Sequence, residues 1–199
     1  MNDFLPEGYK TPETPSNYME LEEGQNAFRI LSSAIVGYKW WVDTDEGGRK
    51  PIRVRTAEKV PAEVKNATDR EDKAKHFWAF TVYNYKTKTI QVLELKQQTI
   101  MRAIEALVNN AKWGDPKQYD IIIEKIKTGA KDWDVEYNVI PEPPTQLDAG
   151  IVELAKNIPV NLKALYKGED PFAVTDEEKP SKDKTNGHLT ASRNARVHS

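Results

Sequence analysis

The sequence predicts a mainly β fold with some α-helix: a five-stranded barrel with one helix between its third and fourth strands, an extended N-terminal arm and a small C-terminal helical extension. Three observations predict it. Runs rich in aromatic and β-branched residues alternate with polar ones between residues 25 and 95. One stretch after these runs has strong helical spacing. Prolines and small polar residues dominate the two ends.

The first strands follow from alternation. QNAFRILSSAIVGYKWWV, residues 25–42, predicts one long strand, or two strands broken near its Ser-Ser pair. PIRVRT predicts a short strand in which Arg53 and Arg55 point away from the apolar side chains. The polar segment 57–74 predicts a mobile excursion.

The remaining elements end in recognisable turn signals. KHFWAFTVYNY, residues 75–85, and TIQVLEL predict a hairpin around Lys86-Thr87-Lys88. QQTIMRAIEALVNN predicts a helix with Ile100, Ile104, Leu107 and Val108 on one face, and WGDP ends it. YDIIIEKIKTGAKDWDVEYNVIP predicts two more strands, with Trp133 in the core, and a modest helix follows from about residue 148 to 155.

With the broken strand and the hairpin each counted once, the order is strand, strand, strand, helix, strand, strand. This is the arrangement of the OB-fold, a partly open barrel, although a generic α+β sandwich would use the same elements. The predicted organisation is an extended arm over 1–24, an OB-fold nucleic-acid-binding domain over 25–144, a helical extension over 145–172 and a disordered tail over 173–199.

Composition narrows the function classes. The 199 residues contain no cysteine, which excludes disulfides, thiolate zinc sites and cysteine nucleophiles. No apolar run approaches the roughly 20 residues of a membrane span, and the first residues lack the pattern of a signal peptide. We therefore expect a soluble protein of the cytoplasm.

Charge is unevenly distributed along the chain. The formal net charge is −2, but residues 26–90 hold thirteen Lys and Arg against eight Asp and Glu, an excess of five. Screening confines charge effects to about 8–10 Å, so a local excess matters more to an anionic ligand than the total.

Catalytic interpretations find little support. His76 is the one histidine outside the predicted tail, and neither GxxxxGK[ST] nor GxGxxG occurs. A histidine metal cluster or a Ser-His-Asp set cannot be assembled from these residues. We expect no enzyme activity and no cofactor or metal.

Alternation divides the rings of KHFWAFTVYNY into two sets. Trp78, Phe80 and Val82 share a uniformly apolar face, which predicts core. The other face carries Phe77, Ala79, Thr81, Tyr83 and Tyr85. Because that face mixes rings with small and polar groups, it predicts either a platform on which bases stack or an ordinary partly covered surface.

The same alternation places basic groups beside candidate stacking rings. Lys39 and Trp41 share one face of the first strand, and Arg29, Arg53 and Arg55 alternate with apolar neighbours and are expected to point outward. Such a row is either a solvated face or a surface for backbone phosphates and unstacked bases.

Several blocks of the sequence resemble those of tailed-bacteriophage single-stranded DNA-binding proteins: FRILSSAIVGYKWW, KHFWAFTVYNY, IQVLEL, WGDPKQYDIII and YKGEDPF. The resemblance covers roughly residues 17–172. It implies an OB-fold that coats single-stranded DNA in phage replication, recombination or repair, without a cofactor and with phage or host replication proteins as candidate partners. The chain departs from the acidic C-terminus of such proteins, because its last 14 residues, NGHLTASRNARVHS, contain two arginines and no acid.

The predicted function is therefore sequence-tolerant binding of single-stranded DNA without turnover. Phosphate contacts are predicted for Arg29, Lys39, Arg53, Arg55, Lys75, Lys86 and Lys88, and base stacking for Trp41, Phe77, Tyr83 and Tyr85. An OB module that binds RNA or an oligosaccharide, or a non-catalytic structural or interaction protein, is the alternative.

Overall fold

The computed structural model describes residues 16–69, 72–131 and 133–173. Within them the fold is mainly β with α, as predicted, and its strands form one mixed sheet. The strands are β1 Tyr18–Met19, β2 Gly24–Ile30, β3 Ile35–Asp43, β4 Arg49–Val54, β5 Lys75–Asn84, β6 Thr89–Leu95, β7 Asp120–Lys127 and β8 Val135–Pro141. The helices are α1 Ala62–Asn66, α2 Gln98–Val108 and α3 Ala149–Asn157, with 3₁₀ turns at Ala57–Lys59, Pro116–Gln118 and Leu162–Lys167.

The sheet is open and is not a clearly closed five-stranded barrel. Its order is β1-β6-β5-β2-β7-β8, and β3 and β4 branch from β5. The branch arises because the chain breaks between β2 and β3, so that β5 pairs with β2 over residues 82–84 and with β3 over residues 75–79. Of the two alternatives for residues 25–42, the structure has two strands with a break at the Ser-Ser pair. The predicted count of three strands before the helix is wrong, because six strands, β1 to β6, precede α2.

The first core lies between one face of the sheet and α2. Phe80 and Val82 are buried there, and Trp78 packs against them, so this part of the prediction is confirmed. From α2, Ile100, Met101 and Ile104 complete the core, as helical spacing predicted for the two isoleucines. Trp133 is 70% exposed in the loop before β8, and its predicted place in the core is wrong.

A second core covers the middle of the opposite face. Leu162 and Leu165 of the last 3₁₀ turn pack on Phe77, Ala79 and Val92. The middle of strand β5 is therefore buried on both faces. The expectation of an exposed Phe77 is wrong, because the C-terminal extension, residues 160–172, lies over that side chain.

The segments predicted to be extended or mobile contain ordered contacts. Tyr18 and Met19 pair in parallel with β6, so part of the predicted arm belongs to the sheet. In segment 57–74 a 3₁₀ turn and α1 form, and Val60 is buried. The rest of the arm, residues 1–15, and residues 174–199 of the predicted tail lie outside the described residues.

No helix in the described part of the chain is long and apolar enough to cross a membrane.

Candidate functional site

The register of the sheet brings several predicted binding residues onto one face. Lys39 lies opposite Lys75 of β5 and Arg53 of β4. On the same face Trp41 lies opposite Pro51. Residues directly opposite each other in antiparallel strands share a face, so alternation assigned these side chains correctly.

Three predicted phosphate-binding residues are nevertheless buried. Arg29 is 2% exposed, and Lys39 and Arg53 are below 10%. The expectation that Arg29 and Arg53 point into solvent is wrong. Buried cations require anionic partners in a folded protein, and each of these three has one.

Glu94 of β6 holds two of these cations together. Its Oε1 accepts a 2.5 Å hydrogen bond from Lys39 Nζ, and its Oε2 accepts one of 2.9 Å from Arg53 Nε. Arg53 Nη2 lies 2.8 Å from the same Oε2. We name Glu94, Lys39 and Arg53 the buried triad; its formal charge is +1.

Electrostatics within the buried triad favour a charged carboxylate. Burial opposes ionisation of Glu94, but Arg53 and Lys39 outweigh it and hold the pKa of Glu94 below its ordinary value. Burial lowers the pKa of Lys39, and the shared Glu94 carboxylate offsets this only in part. The sequence analysis missed Glu94, whose signal was a single acid inside the apolar run IQVLEL.

Trp41 lies above the buried triad at the surface. Its side chain is 40% exposed, and the Lys39 ammonium lies 5.0 Å from the centroid of its ring, within cation–π distance. The structure therefore presents an exposed indole that rests on a buried cation.

A groove of about 840 Å³ opens beside Trp41. The groove is lined by the buried cations of β3 and β4, by residues 16–18, and by residues 165–170, which we call its C-terminal wall. Lys50 and Lys167 add positive charge, and Glu20, Glu169 and Asp170 add negative charge. The groove is thus polar, open and mixed in charge at its rim.

Tyr166 fixes the C-terminal wall of this groove to the sheet. Its hydroxyl donates a 2.6 Å hydrogen bond to the carbonyl oxygen of Val36 in β3. Exposed Arg55 lies with its guanidinium carbon 5.0 Å from the centroid of the Tyr166 ring. Arg55 is the predicted arginine that does reach solvent, and it does so next to the groove.

Tyr83 and Tyr85, two further predicted stacking rings, lie at the far end of the same face. Arg29 Nε donates a 2.5 Å hydrogen bond to Asp120, and Tyr85 donates one of 2.9 Å to the same carboxylate oxygen. Burial, followed by this hydrogen bond, raises the pKa of Tyr85 to about 12. The Tyr83 and Tyr85 rings meet edge to face with centroids 5.1 Å apart.

The cluster of Arg29, Tyr83, Tyr85 and Asp120 is not continuous with the groove. Residues 160–172 lie between them over Phe77. Arg29 also donates to both oxygens of Thr145, so its guanidinium is fully engaged in the fold. Its assignment to phosphate binding is not supported by this geometry.

The predicted phosphate-binding lysines that are exposed also lie at two opposite ends of β5. Lys75 is exposed at the groove end of β5, opposite Lys39. Lys86 and Lys88 are exposed beyond the other end of that ten-residue strand, about 30 Å away. Lys86 forms a surface ion pair with Glu22, and Lys88 has φ 57° in the hairpin turn.

Comparison of this chain with protein-family models, with curated proteins and with solved structures found no match.

Proposed function

We propose that this protein binds single-stranded DNA in the groove beside Trp41, without sequence preference and without turnover. The observation that carries the proposal is the exposed indole of Trp41 above the buried triad, in a groove open at the surface. A base can stack on an indole whatever its sequence, and a phosphate needs positive charge nearby.

The positive charges of the groove favour binding of an anionic strand at this site. The buried triad has a net charge of +1, and Lys50, Lys75 and Arg55 are exposed around it. The acids of the rim reduce the attraction, so we expect about two to three phosphate contacts. With about 0.7 per contact for a single strand, the slope of log K against log salt is then about −1.4 to −2.

The fold is compatible with an OB-type ancestry, which we include in the proposal. Two features support it: β2 and β3 are the two parts of one interrupted run and both pair with β5, and α2 lies between the hairpins β5–β6 and β7–β8. The biological setting that we propose is phage DNA replication, recombination or repair in the host cytoplasm, with phage or host replication proteins as partners. This part is carried by the sequence resemblance.

The experiment is a titration of labelled oligo(dT) by fluorescence anisotropy at two salt concentrations. Trp41→Ala is expected to weaken binding by about 1–3 kcal/mol, which is roughly 5- to 150-fold. Trp133→Ala is the matched control, since it removes an equally large and more exposed ring outside the groove. Binding equal to wild type in Trp41→Ala, or a flat salt response, would contradict the proposal.

Competition identifies the ligand class in the same assay. Unlabelled single-stranded DNA is expected to displace the probe better than single-stranded RNA or a neutral oligosaccharide. Stronger displacement by the RNA or the sugar would instead support the alternative OB module.

A further inference from the structure

We infer that Glu94 is a positioning residue of this groove, which holds the Lys39 ammonium against Trp41 and thereby sets the orientation of the stacking ring. The inference rests on the proposed function for the identity of the ligand. The arrangement of Glu94, Lys39 and Trp41 does not depend on that identity.

The contacts form a chain from the interior to the surface. Glu94 Oε1 accepts from Lys39 Nζ at 2.5 Å, and the same Nζ lies 5.0 Å from the centroid of the Trp41 ring. The carboxylate and the ammonium are both buried, whereas the indole is partly exposed. One buried ion pair thus lies beneath a partly exposed ring that lines the groove.

Electrostatics explain why Lys39 depends on Glu94. A buried ammonium beside a buried guanidinium is repelled, and it stays only if a carboxylate compensates it. Without the negative charge, the flexible lysine side chain gains by moving its ammonium to water. Trp41 would then lose the cation that packs against its ring.

Glu94 also limits the charge that the groove presents. With Glu94 ionised the buried triad is +1, and with a neutral residue at this position the same site would be +2. A loss of Glu94 therefore has two separate consequences: a displaced indole and a more cationic groove. Both can be measured.

The experiment is ¹⁹F NMR of the full chain labelled with 5-fluorotryptophan, with the Trp41 signal assigned by its loss in Trp41→Phe. In Glu94→Gln we expect the Trp41 resonance to shift. Asp120→Asn is the matched control, because it removes the carboxylate partner of another buried arginine, Arg29, at the far end of the same face. In that variant we expect the Trp41 resonance to stay in place.

Binding of oligo(dT) by the folded variants gives the second measurement. Glu94→Gln is expected to bind at least about fivefold more weakly at high salt, where the added positive charge is screened, and with a steeper salt slope by about 0.7, the value of one added phosphate contact. Asp120→Asn is expected to stay within twofold of wild type.

An unmoved Trp41 resonance in folded Glu94→Gln would overturn the inference. If Glu94→Gln does not fold, Lys39→Met decides the question: it keeps the Glu94–Arg53 pair, removes the ammonium and is expected to shift the same resonance. The NMR signal needs no DNA. Failure of the proposed function, seen as unchanged DNA binding by Trp41→Ala, is therefore distinguishable from failure of this inference.

Discussion

Phe77→Ala tests the second core, which separates this structure from an exposed aromatic platform. The Phe77 ring is 0% exposed and packs with Leu162 and Leu165, and its centroid lies 6.4 Å from that of the Tyr166 ring. Truncating a fully buried phenylalanine costs about 3–5 kcal/mol, through lost burial and the cavity left behind. For a domain of this size each kcal/mol lowers Tm by about 2–4 °C, so we expect a fall of about 6–20 °C.

The assay is thermal unfolding followed by circular dichroism. Trp133→Ala is the control, because it removes a larger ring that is mostly exposed, and its Tm is expected to stay within about 2 °C of wild type. If Phe77→Ala were as stable as this control and instead lost DNA binding, residues 160–172 would not cover the ring. The reasoning about the second core would then be refuted.

Three further outcomes follow from local geometry and titration. Gly37→Ala places a Cβ 2.1 Å from the backbone oxygen of Val54, so we expect the β3–β4 pair to distort. The free energy of unfolding should then fall by about 1–3 kcal/mol or more, seen as a lower Tm in the same assay. The pKa of Glu94 is lowered in the fold, so the stability that it contributes is present above its ordinary pKa and is lost as pH falls through the folded value. In urea unfolding from pH 7 to pH 3, the free energy of unfolding is therefore expected to fall less in Glu94→Gln than in wild type. Burial and the hydrogen bond to Asp120 raise the pKa of Tyr85 to about 12, so stability is lost as pH rises from 10 towards 12, and Tyr85→Phe is expected to remove the last tyrosine step of an ultraviolet titration.

Local periodicity accounts for the parts of the site that the sequence predicted. A strand alternates its side chains, so Lys39 and Trp41 necessarily share a face, and Arg53 joins them once β4 pairs in register. The hairpin β5–β6 and helix α2 follow for the same reason, since a turn signal and a 3.6-residue spacing each involve only neighbouring residues.

Exposure could not be predicted from periodicity. Alternation says which residues share a face, but it does not say what lies on that face. Phe77 is covered by Leu162 and Leu165, more than 80 residues later in the chain, and Arg29 is engaged by Asp120 and Thr145. Such contacts depend on how distant segments pack.

Local sequence patterns predict the β-rich class, the helix and the face on which Lys39, Trp41 and Arg53 lie, and they left open whether residues 25–42 form one strand or two. The tertiary structure alone decided that the sheet stays open, that residues 160–172 close the middle of this face, and that Glu94 binds two of its cations. The physical reason is range: backbone periodicity acts between neighbours, whereas burial and ion pairing join side chains that only the folded chain brings within a few ångströms.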